Sequence, residues 1–166
     1  MITMPVNILL LSIKPEYAHK IFSGEKTVEL RRVRTRLNTG DLVLIYVSSP
    51  RKALVGTFEV ERISQIKLEE VPRDLNKFWT QVKDKAGISS EKFEDYYRGA
   101  SLVVGIFVRN VITFDAPIDL KQLRQKMPKF KPPQSYHYLT DSERSMLQSL
   151  LEENQFSVTQ HKKLLL

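Results

Sequence analysis

The chain has 166 residues, a net charge of +7, 42% hydrophobic and 27% charged residues, and no cysteine. That describes one ordinary globular domain with enough chain for a real core. It excludes structural disulfides and thiolate metal sites, suits a reducing cytoplasm, and favours polyanionic partners through counterion release.

In chain order, "VNILLLSI" reads as a strand. Its apolar run, Ile8 to Leu11, is too short for a signal-peptide core or a membrane span and has no basic segment before it. "KPEYAHKIFSG" reads as a short helix, with Pro15 at the first helical position and Gly24 as a left-handed stop. Ala18, Ile21 and Phe22 recur at helical spacing and face the core. "KTVELRRV" is a strand, Asn38 to Asp41 a turn, and "DLVLIYVSS" and "ALVGTFEVERI" two more strands. Gly56 inside the second predicts a bulge or a close backbone approach.

Two helices follow. The first runs from Pro72 to a stop at Gly87, with Leu75, Phe78, Trp79 and Val82 on one face. The second is capped by Ser89 or Ser90 and stopped by Gly99. "SLVVGIFVRNVITFD" is a strand without clean alternation, so part of it is buried on both faces. Asp119 caps a short helix through Lys126, and Pro128, Pro132 and Pro133 force an extended passage. Thr140 to Glu143 is a capping box opening a last helix with the stripe Met146, Leu147, Leu150 and Leu151. The order argues an α+β domain over residues 1–154, built on a small, mostly antiparallel or mixed β-barrel with flanking helices. Its core spans about 7–115, a helical C-terminal extension about 116–154, and residues 155–166 read as a flexible tail.

"SGEKTVELRRVRTR" is unusual for a strand because of its charge. In an extended segment Thr27, Glu29 and Arg31 share one face while Val28 and Leu30 share the other. The apolar pair goes to the core. Lys26 has the wrong parity, but the chain bends at Gly24, so Lys26 swings over the surface of Glu29 and Arg31. One reading is a cleft in which the cations take phosphate and Glu29 accepts from a base amino group or orients a water. The other is an exposed strand kept soluble by its ion pair. Arg31, Arg32, Arg34 and Arg36 follow the same two readings: bidentate phosphate contacts, or a solvated loop.

A second constellation is "KFKPPQSYHYL", Lys129 to Leu139. Aromatic residues among cations suit base stacking beside phosphate contacts, with Tyr136 and Tyr138 as the stacking candidates. Equally, these aromatics plug the core under an extended loop. His19, His137 and His161 lack ligand spacing, so neither a metal nor a cofactor is expected. No nucleophile elbow, phosphate-binding loop or dinucleotide fingerprint occurs.

Residues 7–115 resemble the ASCH domain of the PUA-like superfamily. The family pattern G-x-K-x-x-E-x-R stands here as Gly24, Lys26, Glu29 and Arg31, with the preceding helix, the "TGD" turn and the "LVGTFEVERI" strand in order. The resemblance implies a small β-barrel with a cleft lined by those residues, and RNA binding linked to transcription or translation control. One branch of such proteins hydrolyses the amide of N4-acetylcytidine with a lysine, a threonine and a glutamate. Lys26 matches that lysine, but Glu29 stands where the branch has threonine. Ribonuclease activity is attributed to other members, and Lys26 with Glu29 is then the acid/base pair.

Overall fold

The computed structural model describes residues 7–68 and 72–154. Its elements are β1 (Ile8–Ile13), α1 (Pro15–Ser23), β2 (Val28–Arg31), β3 (Leu42–Val47), β4 (Ala53–Lys67), α2 (Pro72–Val82), α3 (Ser90–Tyr97), β5 (Leu102–Asp119), α4 (Leu120–Lys126), β6 (Tyr136–Tyr138) and α5 (Asp141–Asn154). The expected tail, 155–166, lies outside the described residues. None of the described helices is long and apolar enough to cross a membrane.

The strands form one mixed sheet in the order β2-β5-β4-β3-β1-β6. Every neighbouring pair is antiparallel except β1 with β3, whose connection carries α1 and β2. The β4–β5 ribbon changes register between Leu54 and Gly56, between Thr57 and Glu59, and between Val60 and Arg62. Each shift bends the pair and tightens its twist, which curls the sheet into an α+β, PUA-like open barrel.

Three apolar clusters explain why the long strands lack alternation. Leu9, Leu11 and Ile13 of β1 point into the barrel with Val43, Ile45 and Ala18. Ile8 and Leu10 point outward, where Leu123 of α4 and Leu147, Leu150 and Leu151 of α5 cover them. Both faces of β1 are therefore apolar. On β5, Val104, Ile106 and Val108 fill the barrel, while Val103 and Phe107 join Phe78, Phe93 and Tyr97 beneath α2 and α3. Phe93 meets Tyr97 edge-on at 5.0 Å between centroids, an arrangement aromatic quadrupoles favour. Further along, Phe114 and Ile118 face the α4–α5 layer.

The local signals form as their chemistry dictates. Ser89 caps α3, its hydroxyl accepting from Lys92 N. Asp119 and Gln122 make a reciprocal box at α4, as do Thr140 and Glu143 at α5. Three boundaries differ from the sequence expectation. Helix α2 ends at Val82, and a turn carries the chain to Gly87. Strand β5 continues to Asp119, which pairs with Ala53, so it crosses the boundary expected near residue 115. Tyr136–Tyr138 is a strand, β6, antiparallel to β1.

Gly56 meets both expectations placed on it. It sits at a register shift, and a side chain there would strike the Ile112 carbonyl and come within 2.8 Å of the Phe22 ring. Gly56→Ala is accordingly expected to destabilise by about 2 kcal/mol or more, in the range of overpacked cores. Urea unfolding reads this as a lower midpoint at constant slope. An unchanged midpoint means that the β4–β5 ribbon yields at no cost.

Candidate functional site

The site is set by a turn. Gly24 ends α1 at φ +86°, a left-handed value open to glycine and strained for residues with a side chain. The chain reverses, Lys26 N donates to Lys20 O at 3.0 Å, and Thr27 N and Val28 N both donate to Lys85 O. The α1–β2 connection is thus anchored on the turn after α2. Val28 and Leu30 enter the core, as their parity requires.

Lys26, Glu29 and Arg31 come together on the other side. Lys26 is 3% exposed and Glu29 7%. Lys26 Nζ donates to Ala86 O at 2.7 Å and lies 3.9 Å from Glu29 Oε1. Arg31 Nη2 lies 3.9 Å from Glu29 Oε2. Both pairs are beyond hydrogen-bond distance, so the carboxylate is attracted by two cations but bonded to neither. Oε1 accepts from Leu30 N at 3.1 Å. Arg31 Nη1 donates to Ser135 Oγ at 3.0 Å and Nη2 to Ser12 O at 3.4 Å, while its buried Nε has no partner among the described residues. Burial lowers the Lys26 pKa from 10.5; the Glu29 charge opposes this, and Arg31 and Lys20 add to it.

These residues wall a cavity of about 610 Å³. Among the described residues its cations are Lys14, Lys26, Arg31, Lys52 and Lys92, against the single carboxylate of Glu29. Tyr17, Tyr46 and Tyr96 are among its lining, Tyr46 being buried in the core, and Pro132, Pro133 and Gln134 form a strap along one side. Ser12 holds the strap, its hydroxyl donating to Pro133 O at 2.6 Å. Tyr96 and Tyr97 donate to the carbonyls of Leu30 and Arg31, fixing the strand that carries the motif.

Four sequence candidates lie elsewhere. Arg32 is exposed, over the Tyr96 ring at 6.0 Å and donating to Arg98 O. Arg34 is exposed and donates to Gln65 Oε1 at 3.1 Å. Tyr136 and Tyr138 pack edge-on at 5.8 Å on the barrel core; neither lines the cavity. Their hydroxyls tie down the loop after β2: Tyr136 donates to Arg34 O, and Tyr138 accepts from Arg36 N. The aromatic faces of the cavity come instead from α1 and α3. Sequence reasoning did not single out Lys14, Lys52, Lys92, Tyr17 or Tyr46, which sit in unrelated elements. Tyr96 lies at the end of α3, a helix that the sequence shows only by its cap and its glycine stop.

The ASCH domain profile matches residues 11–127. The chain belongs to the ASCH domain family. It is 32% identical over 143 residues to an ASCH domain-containing ribonuclease of Zymomonas mobilis, covering 86% of this chain and 91% of that protein. The crystal structure of ASCH from Zymomonas mobilis superposes with a TM-score of 0.75 at 31% identity, covering 86% of this chain and 94% of that one. A large ribosomal subunit protein uL22 of Ureaplasma parvum is 26% identical over 132 residues, which span 79% of this chain and 39% of that protein.

The buried lysine has a pH signature. Its native pKa lies below the unfolded value of 10.5, so in that window the unfolded chain holds more protons than the native one. Stability contributed by Lys26 therefore rises with pH through the window, and the full penalty of the buried charge applies below it. The unfolding free energy of the wild type minus that of Lys26→Met is expected to increase from neutral pH toward 10.5. Urea melts across this range test it; a flat difference means that Lys26 is as well solvated folded as unfolded.

Proposed function

We propose that the cavity binds RNA. The observation that carries this reading is the lining itself: among the described residues, five cations against one carboxylate, with the half-buried Tyr17 and the exposed Tyr96 beside them. A phosphate satisfies the unpartnered Arg31 Nε and the clustered ammonium groups, and a base finds a π-face to stack on. The volume falls within the roughly 300–1,000 Å³ of small-molecule sites, enough for a nucleotide. Arg32 and Arg34 then serve the surface around the cavity, and Tyr136 and Tyr138 hold the loop that presents them. The absence of cysteine suits a reducing cytoplasm, where such RNA is met.

A second reading, RNA cleavage, is favoured by the Lys26–Glu29 pair and by the name ribonuclease borne by the Zymomonas relative. In it Glu29 takes the 2′-hydroxyl proton as the O2′–P bond forms. Arg31 and Lys52 neutralise the pentacovalent phosphate. Lys26, whose ammonium burial makes more acidic, returns a proton to the departing 5′-oxygen, leaving a 2′,3′-cyclic phosphate. Hydrolysis of an acetylated nucleoside fits less well. Among the described residues no threonine lines the cavity, and the Thr27 backbone is taken up by Lys85 and Val108.

The test is binding to cellular RNA and to double-stranded DNA across a salt series, with the RNA recovered and sized. Preference for RNA that persists at physiological salt is expected, with about ten-fold weaker binding for Arg31→Ala. Weak binding to both that disappears with salt means that the ligand is not RNA. Cleavage predicts cyclic-phosphate ends by mass spectrometry and a loss of about 100-fold or more in rate for Glu29→Gln, with binding largely retained. Intact RNA throughout leaves the binding reading alone.

A further inference from the structure

A second hollow of about 440 Å³ lies beside the cavity and shares two wall residues with it, Lys52 and Leu120. Arg51, Lys121 and Arg124 complete its basic side, against one carboxylate, Asp119. Asp119 is engaged by Arg51 at 3.1 Å, and Arg124 Nε donates to Phe130 O at 3.2 Å. Lys52 and Lys121 make no ion pair among the described residues. The junction is built. Lys52 holds φ +51°, where a turn ordinarily uses glycine or asparagine, and its carbonyl accepts from Leu120 N at 2.9 Å. A lysine kept in strained backbone between two cationic hollows points to a use for its side chain. Another hollow, sharing Ile88 and Lys92 with the cavity, sets two carboxylates, Glu25 and Asp84, against Lys20, Lys83 and Lys92. The larger cationic excess, four cations against one carboxylate among the described residues, lies on the Lys52 side and favours a polyanion leaving the cavity there.

We infer that the substrate is a polynucleotide strand, one nucleotide of which occupies the cavity while adjoining phosphates lie in the groove of Arg51, Lys52 and Lys121. This rests on the reading of the cavity as an RNA site and adds to it a subsite that sets substrate length. A free nucleoside or mononucleotide has no group to place there.

The experiment is a fluorescence-anisotropy titration of the full chain with 2′-O-methyl RNA, which resists cleavage through the 2′-oxygen, as mononucleotide, dinucleotide, tetranucleotide and octanucleotide. Affinity is expected to climb with length. The Arg51→Ala, Lys121→Ala double variant is expected to bind the octanucleotide about ten-fold more weakly, with little change for the mononucleotide. Its salt slope is expected to be shallower by about 0.7 for each phosphate that the variant no longer neutralises. Lys121→Glu is expected to weaken binding further. Both side chains are exposed, so the variants fold. Unchanged octanucleotide affinity, with Arg31→Ala weakening every length, overturns the groove and leaves the cavity standing. Equal losses for mononucleotide and octanucleotide also overturn it, because Lys121 then acts on the cavity. If Arg31→Ala leaves the mononucleotide unaffected, the RNA reading of the cavity fails and the subsite falls with it.

Discussion

The two edges of the sheet, β2 and β6, are joined by side chains rather than by a backbone ladder, and the cavity depends on that. Arg31 reaches from the end of β2 to Ser135, just before β6, and to the Ser12 carbonyl on β1. Tyr136 and Tyr138 reach back to the loop after β2. A ladder would bring the strands to about 5 Å and leave no room between them. Long side chains span a wider gap and satisfy the edge groups at isolated points. The opening that remains is lined by what projects from β2 and the turn before it, and the G-x-K-x-x-E-x-R pattern makes that a lysine from the turn and a glutamate and an arginine from the strand.

Those three charges are a poor way to gain stability. Lys26 and Glu29 are nearly out of water, yet they stand 3.9 Å apart, too far to offset desolvation through a hydrogen bond. Among the described residues, Arg31 leaves a buried N–H without a partner. Such groups lower native stability and are kept where a ligand completes their bonds. The surroundings hold the row rigid all the same. Burial raises the hydroxyl pKa of both Tyr96 and Tyr97, so both remain protonated donors to the Leu30 and Arg31 carbonyls at neutral pH. The strand is thus fixed from behind while its charged face stays incompletely bonded.

What the sequence made legible follows from the range of each signal. Period-two alternation assigned Val28 and Leu30 to the core and Glu29 and Arg31 to the opposite face, and the glycine turn brought Lys26 over them. All of this is decided within eight residues. The caps at Ser89, Asp119 and Thr140 were legible for the same reason. The three residues of β6 were not, because a strand that short has no period and exists only through its pairing with β1. Nor were Lys14, Lys52 and Lys92, brought to one cavity by three separate loops and helix ends. Tyr136 and Tyr138 carried the right composition for stacking, but β6 turns them onto the barrel core, a placement set by their register with Leu9 and Leu11.

The strap gives the site a further property. Ser12 N donates to Ser135 O at 3.0 Å and its hydroxyl to Pro133 O, so the strap is pinned to β1 independently of Arg31. The Arg31–Ser135 bond links the strap to β2, and its acceptor is a neutral hydroxyl. A phosphate oxygen offered to the same Nη1 adds the attraction of opposite charges, which a hydroxyl acceptor does not supply. An incoming anion therefore displaces a weaker acceptor rather than an equal one, and the serine it frees sits beside it as a donor. The interaction that bridges the open barrel is in this way the one best placed to be exchanged for a ligand, while the bonds of Ser12 hold the strap without it.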